Sequence, residues 1–175
     1  MGYYFRAFCT SATVPELSLI QTWLRDRDSA AILDDPNHAV EIAVSNADLQ
    51  PILNLETSDW EQVAIFYRNG KLPILVTCDR NNDDEDNLLR EEIEEFIESI
   101  ESTKDSAGKT LVLEHLRATQ FVIACQIPTS NIENNGHDAN DDFLSFFVEH
   151  CGGMIQADGE GFYDSSGSNL LVPLE

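Results

Sequence analysis

Two apolar runs, Val63 to Arg68 and Lys71 to Val76, stand on either side of Asn69-Gly70. Asn-Gly accepts the positive φ values of a two-residue type I′ turn, whose twist matches that of paired strands. A chain carrying this segment is bound to contain an antiparallel sheet. One residue resists the simplest form of the hairpin. In that register Pro73 falls opposite Phe66, and proline has no N–H where a ladder bond is due. Either the second strand begins after Pro73 or this end of the hairpin is a sheet edge. Both sides of the two runs are largely apolar, so the sheet is expected to be covered on both faces near its middle.

The remaining elements follow from periodicity and punctuation. Residues 3 to 9 read as a strand. Thr13-Val14-Pro15-Glu16 reads as a capping box that opens a helix carrying Leu17, Ile20 and Leu24 on one face, with Trp23 beside them. Ala39 to Val44 reads as a short strand, and Ser45 to Thr57, with Pro51, as a loop. Leu89, Ile93, Phe96, Ile97 and Ile100 recur at helical spacing within Leu88 to Ser102, and Leu111 to Thr119 reads as a second helix. Phe121 to Ile127 is a strand and Pro128 to Asn140 an Asn-rich loop. Asp142 to His150 is a helix capped at Asp141 and stopped by Gly152-Gly153. Met154 to Ala157 and Gly161 to Tyr163 flank a tight turn at Asp158-Gly159-Glu160, and Leu170 to Val172 adds a last strand. The expected architecture is a single α+β domain over residues 1–175, with helices packed on a mixed sheet. Its element order is βαβββααβαββ, compatible with a ferredoxin-like core.

Charge narrows the function. Thirty-two Asp and Glu face ten Lys and Arg, a formal net charge of −22. Twelve acidic residues against three basic ones lie between Asp79 and Asp105, a local charge of −9. Such a field opposes nucleic acid and anionic membrane and attracts basic partners. The N-terminus lacks the pattern of a signal peptide and no apolar run approaches the ~20 residues of a membrane helix, so a cytoplasmic location is expected. Cys9, Cys78, Cys125 and Cys151 form no Cys-x-x-Cys and read as buried, reduced thiols.

No motif for catalysis, cofactor or metal stands out, and neither a cofactor nor a metal is expected. Ser106-Ala107-Gly108-Lys109-Thr110 imitates the end of a P-loop, but Thr103 stands where the first glycine belongs and a helix leads into it, so Ser106 reads as a helix cap. Two acidic loops imitate calcium sites. From Asp79, an EF-hand pattern fails at Asp84, in place of glycine, and at Arg90, in place of the bidentate Glu. The span Asn131, Glu133, Asn135, Gly136 to Asp142 keeps the glycine but begins on Asn and ends on the shorter Asp. Pairing of Cys151 or Cys125 with His115 as nucleophile and base is left open, since the sequence does not say which groups meet.

Trp60-Glu61-Gln62-Val63 leading to Pro73-Ile74, the Glu91 to Phe96 helix and the closing Asp158 to Asp164 segment together resemble uncharacterised bacterial proteins without an assigned activity. The resemblance spans most of the chain and implies no catalytic residue. Two functional readings remain. In the first, Glu91, Glu94, Glu95 and Glu98 of the acidic helix engage a basic protein partner, in the manner of an immunity or inhibitor protein; like charges at helical spacing cost stability and invite a functional reason. An acid-biased proteome would produce the same composition. In the second, Asp158, Glu160 and Tyr163 line a cleft for a small ligand or a metal-assisted reaction. A cleft gathering Asp158, Glu160 and a histidine favours the second reading; a flat acidic face favours the first.

Overall fold

The structure, a computed structural model, describes residues 2–82, 87–130 and 132–174. Its frame is one eight-stranded sheet formed by β1 (Tyr3–Cys9), β2 (Ile32–Asp34), β3 (Gln62–Phe66), β4 (Ile74–Arg80), β5 (Phe121–Ile127), β6 (Gly153–Ala157), β7 (Gly161–Tyr163) and β8 (Leu170–Pro173). The strands lie in the order β2-β3-β4-β5-β1-β6-β7-β8. Every neighbouring pair is antiparallel. The α+β class is the expected one. The sheet is antiparallel rather than mixed, and it holds no ferredoxin-like core, because that core needs a parallel pair within a split βαβ unit. Here the chain leaving β1 crosses to the far edge instead of returning beside it.

The β3–β4 hairpin keeps the register set by a two-residue loop, with Val63 opposite Val76 and Ile65 opposite Ile74. The ladder stops there, and β4 starts one residue after Pro73, as the missing N–H requires. The turn is not type I′, because only Gly70 (φ 72) has a positive φ and Asn69 does not. Lys71 N donates to Arg68 O at 3.3 Å to close it.

Five helices complete the chain: α1 (Leu17–Asp26), α2 (Pro36–Ser45), α3 (Leu88–Glu101), α4 (Ala107–Ala118) and α5 (Asn134–Cys151). The expected capping box at Thr13 and Glu16 does not form. The N–H groups of Leu17 and Ser18 donate instead to the carbonyls of Thr57 and Leu55, so a distant loop closes the N-terminus of α1. The expected strand at 39–44 is part of α2. Asp35 caps this helix by accepting from Asn37 N and His38 N, Pro36 occupies its first turn, and Ala39 and Ala43 pack against Ala64 and Phe66. Helix α5 starts eight residues before the expected Asp142, so Asp141 is not its cap. Gly136 is required inside it: a Cβ there would lie 2.8 Å from the Tyr67 ring, which occupies that space. Packing of Ala139, Phe143 and Phe147 outweighs the poor helix propensity of an Asn- and Gly-rich start. Its C-terminus is the expected one, with Gly152 left-handed at φ 61.

The two faces of the sheet carry separate cores. On one face, α1 and α5 cover Ala7, Cys9, Val63, Ile65, Ile123 and Cys125. On the other, α3 and α4 cover Phe8, Val122, Phe162 and Val172, and α2 covers Ala64 and Phe66. Among the described residues, no helix is long and apolar enough to cross a membrane.

Candidate functional site

Strand alternation sends Tyr4, Arg6 and Phe8 of β1 to the α3 face and Phe5, Ala7 and Cys9 to the α5 face. Arg6 is the polar centre of the α3 face. Its Nε donates to Glu92 of α3 at 2.8 Å, and its Nη1 donates to Asp158 at 2.6 Å and Gln156 at 2.9 Å. The guanidinium also sits over the rings of Tyr4 and Phe96. Burial pushes the Glu92 carboxyl up, and Arg6 only partly offsets this. The arrangement ties α3 to the sheet.

Glu91, Glu94, Glu95 and Glu98 point the other way. All four are exposed, and no basic side chain among the described residues comes within ion-pair distance of them. Several cations are paired elsewhere: Arg117 with Glu101, Lys109 with Asp105, Arg68 and Lys71 with Glu133, Arg27 with Glu149. Between α2 and α3, over β4 and β5, Leu75, Thr77, Ala124 and Gln126 belong to no buried cluster and stay half-buried or exposed, Leu75 at 36%. Arg6 lies opposite Ala124, and Ala124 opposite Thr77, so this uncovered strip begins beside Glu92.

The second candidate group is split by the sheet. Asp158 faces α3, where it also accepts from Tyr4 N at 3.2 Å. Glu160 and Tyr163 face the α5 side. Gly159 and Gly161, with φ of 71° and 128°, break the strand alternation between them. Glu160 accepts from the hydroxyl of Tyr3 at 2.9 Å and from that of Tyr163. These two donors hold its carboxyl below the usual range, Tyr163 contributing most.

Glu160 and Tyr163 edge a cleft of ≈ 730 Å³ between α5 and the β6–β8 end of the sheet. Its apolar floor is Phe5, Leu144, Val148 and Ile155. His137, Asp141 and Glu149 line the α5 wall. Partial desolvation in this wall raises the Asp141 carboxyl. The cleft thus gathers Glu160, Tyr163 and His137 but not Asp158. The sequence marks Asp141 only as a helix cap and gives no signal for Glu149; α5, by starting at Asn134, places both within one helix two turns apart.

The other sequence candidates resolve into structure. His115 Nε2 contacts the Phe8 carbonyl at 2.7 Å on the α4 side, whereas Cys125 and Cys151 belong to the core on the opposite face, so no Cys-His pair forms. All four thiols are buried and free. Burial pushes Cys78 up to about 12 and Cys151 to about 11, and raises Cys9 and Cys125 well above the usual thiol range, which disfavours thiolate chemistry near neutral pH. Ser106 caps α4 by accepting from Lys109 N at 3.0 Å, and Lys109 Nζ donates to the carbonyls of Glu101 and Thr103 rather than reaching for phosphate. The calcium-like span ending at Asp142 is helical from Asn134, and Asn131 lies outside the described residues. The EF-hand-like span from Asp79 passes through 83–86, also outside them. Among the described residues, no three His, Cys, Asp or Glu side chains gather closely enough to hold a metal ion.

One arrangement escaped the sequence reading. Asp34, with no exposed surface, accepts from Ile52 N at 2.8 Å, Leu53 N at 3.2 Å and the His38 ring. Its signal was the cap sequence Asp35-Pro36, which places Asp34 and His38 one turn apart. The pair clamps the loop at 52–53.

No protein-family model matches the chain, and neither curated proteins nor solved structures yielded a match.

Proposed function

We propose that this chain is a non-enzymatic, cytoplasmic binding protein for a basic protein partner, acting as an immunity or inhibitor protein does. The observation that carries this reading is the contrast within α3. Glu92, turned inward, is matched by Arg6, whereas Glu91, Glu94, Glu95 and Glu98 are exposed with no cation of the described residues within ion-pair distance, and an uncovered strip of sheet begins beside Glu92. A charged rim beside partly apolar surface is the usual anatomy of a protein interface, with the apolar part desolvated and the rim steering encounter. A basic protein supplies the missing counter-charge. The net charge of −22 argues against nucleic acid and anionic membrane as alternative partners.

The test is capture from native extract at low and high salt, followed by association kinetics of the identified partner with the wild type and with a variant carrying Gln at 91, 94, 95 and 98. The variant is expected to associate more slowly and to lose its salt dependence. Unchanged rate and salt dependence would remove α3 from the interface.

A further inference from the structure

We infer that the cleft between α5 and the β6–β8 end of the sheet is a binding site for an elongated aliphatic polyamine, separate from the acidic face of α3. Its volume of ≈ 730 Å³ falls within the range of small-molecule sites, ~300 to 1,000 Å³. The floor of Phe5, Leu144, Val148 and Ile155 suits methylene groups, and among the polar groups around it the three charged ones, Asp141, Glu149 and Glu160, are all carboxylates. The carboxylates are spread out rather than convergent. Asp141 and Glu149 stand eight residues apart on α5, about 12 Å at 1.5 Å per residue, and Glu160 lies across the cleft on the sheet side. No three ligating side chains meet at one point among the described residues, so the geometry suits charges distributed along a chain and not a single metal ion.

The carboxylates are also prepared to different degrees. Glu160 is fixed by the hydroxyls of Tyr3 and Tyr163, which occupy one lone pair on each oxygen and leave the others for an ammonium. Asp141 has no basic side chain within ion-pair distance among the described residues, and its partly desolvated carboxyl gains from an incoming cation. Glu149 already shares Arg27 at 3.2 Å, so it forms the weaker end of the site. An anion is repelled by all three groups, and a neutral chain leaves Asp141 and Glu160 without a counter-charge.

Calorimetry of the full chain with spermidine, at low and at physiological salt, tests the inference, with magnesium as a point-charge control and a lysine tripeptide as the other source of spaced amines. One spermidine per chain is expected, bound more tightly than magnesium or the peptide. Glu160→Gln and Asp141→Asn, both at exposed positions, should each weaken it by about tenfold, and Val148→Trp, which fills the floor, should abolish it. Gln at 91, 94, 95 and 98 should leave it intact, which separates this site from the partner surface on α3. Melting curves establish that each variant is folded. Binding that survives all three cleft variants, that falls only with the α3 variant, or that favours the peptide would overturn the inference.

Discussion

The two faces of the sheet are held by different means. Under α1 and α5 the contacts are almost wholly apolar: Phe143 and Phe147 are fully buried, and the Trp23 indole closes the seam by donating to the Asp142 carbonyl at 2.9 Å. Under α3 the apolar contact is thinner. Phe96 packs edge-on against Phe8 and Phe162, and beside it the Arg6 cluster adds a polar tether. Burial is non-directional and tolerates little exposure, whereas a tether of hydrogen-bonded charges holds a helix whose outer face is free to serve another purpose. The α5 face secures the fold; the α3 face displays charge.

Truncation of one aromatic on each face tests this division most severely. Phe147→Ala should cost about 3 to 5 kcal/mol, the range for a fully buried phenylalanine, and Phe96→Ala, only half-buried, distinctly less. Equal losses in denaturant melts would erase the distinction.

Arg6→Met comes next. It keeps the aliphatic stem but leaves Glu92 and Asp158 without their donor, and a loss of about 2 kcal/mol is expected for charged hydrogen bonds that are partly exposed. The Glu92 carboxyl, already raised by burial, should rise further once Arg6 is gone. A group with a raised folded value stabilises below its unfolded value, and that contribution is lost as pH rises through the folded value. The variant should therefore recover stability on acidification relative to wild type. A flat difference between the two across acidic pH would show that Glu92 is not coupled to Arg6.

Asp34 gives the opposite sign. Burial alone would raise its carboxyl, but the His38 ring and the N–H groups of Ile52, Asp35 and Leu53 outweigh burial and lower it. Its contribution is present above the ordinary aspartate value of 3.8 and is lost as pH falls through the lowered folded value. Asp34→Asn should be less stable at neutral pH and should approach wild type in strong acid, as read from melting midpoints against pH.

The smallest effect is on α3 itself. Gln at 91, 94, 95 and 98 removes the Glu91–Glu95 and Glu94–Glu98 repulsions and should raise stability by ~0.2 to 0.5 kcal/mol per pair. A lower melting temperature would mean that the acidic face supports the fold.

The sequence was most legible where period and punctuation agreed. The bounds of β5, those of β6 to within one residue, and the register of the hairpin follow from alternation and Asn69-Gly70. It was least legible where tertiary packing overrode local preference. The first half of α5 has the composition of a loop and is helical because Tyr67 needs the space at Gly136 and Phe143 needs its neighbours. At α2 two signals compete: Asp35-Pro36 is a helix start, whereas the apolar content of Ala39 to Val44 favours a strand, and the capped helix wins. The candidate cleft was half-visible: Glu160 and Tyr163 were named, but the glycines on either side of Glu160 turn it away from Asp158, and backbone sign changes of this kind leave no periodic trace.

Strand β1 lies at the centre of the sheet, yet both its partners come from the far end of the chain: Phe5 pairs with Cys125 and with Ala157. During synthesis the first strand is therefore without a ladder until the chain has been made through Phe121. Closing loops of that length before any reward makes assembly slow, and Phe8 and Cys9, fully buried at the end, stay available to wrong partners throughout the wait. The segment between these strands carries dense negative charge, and like charge opposes contact between unfinished chains.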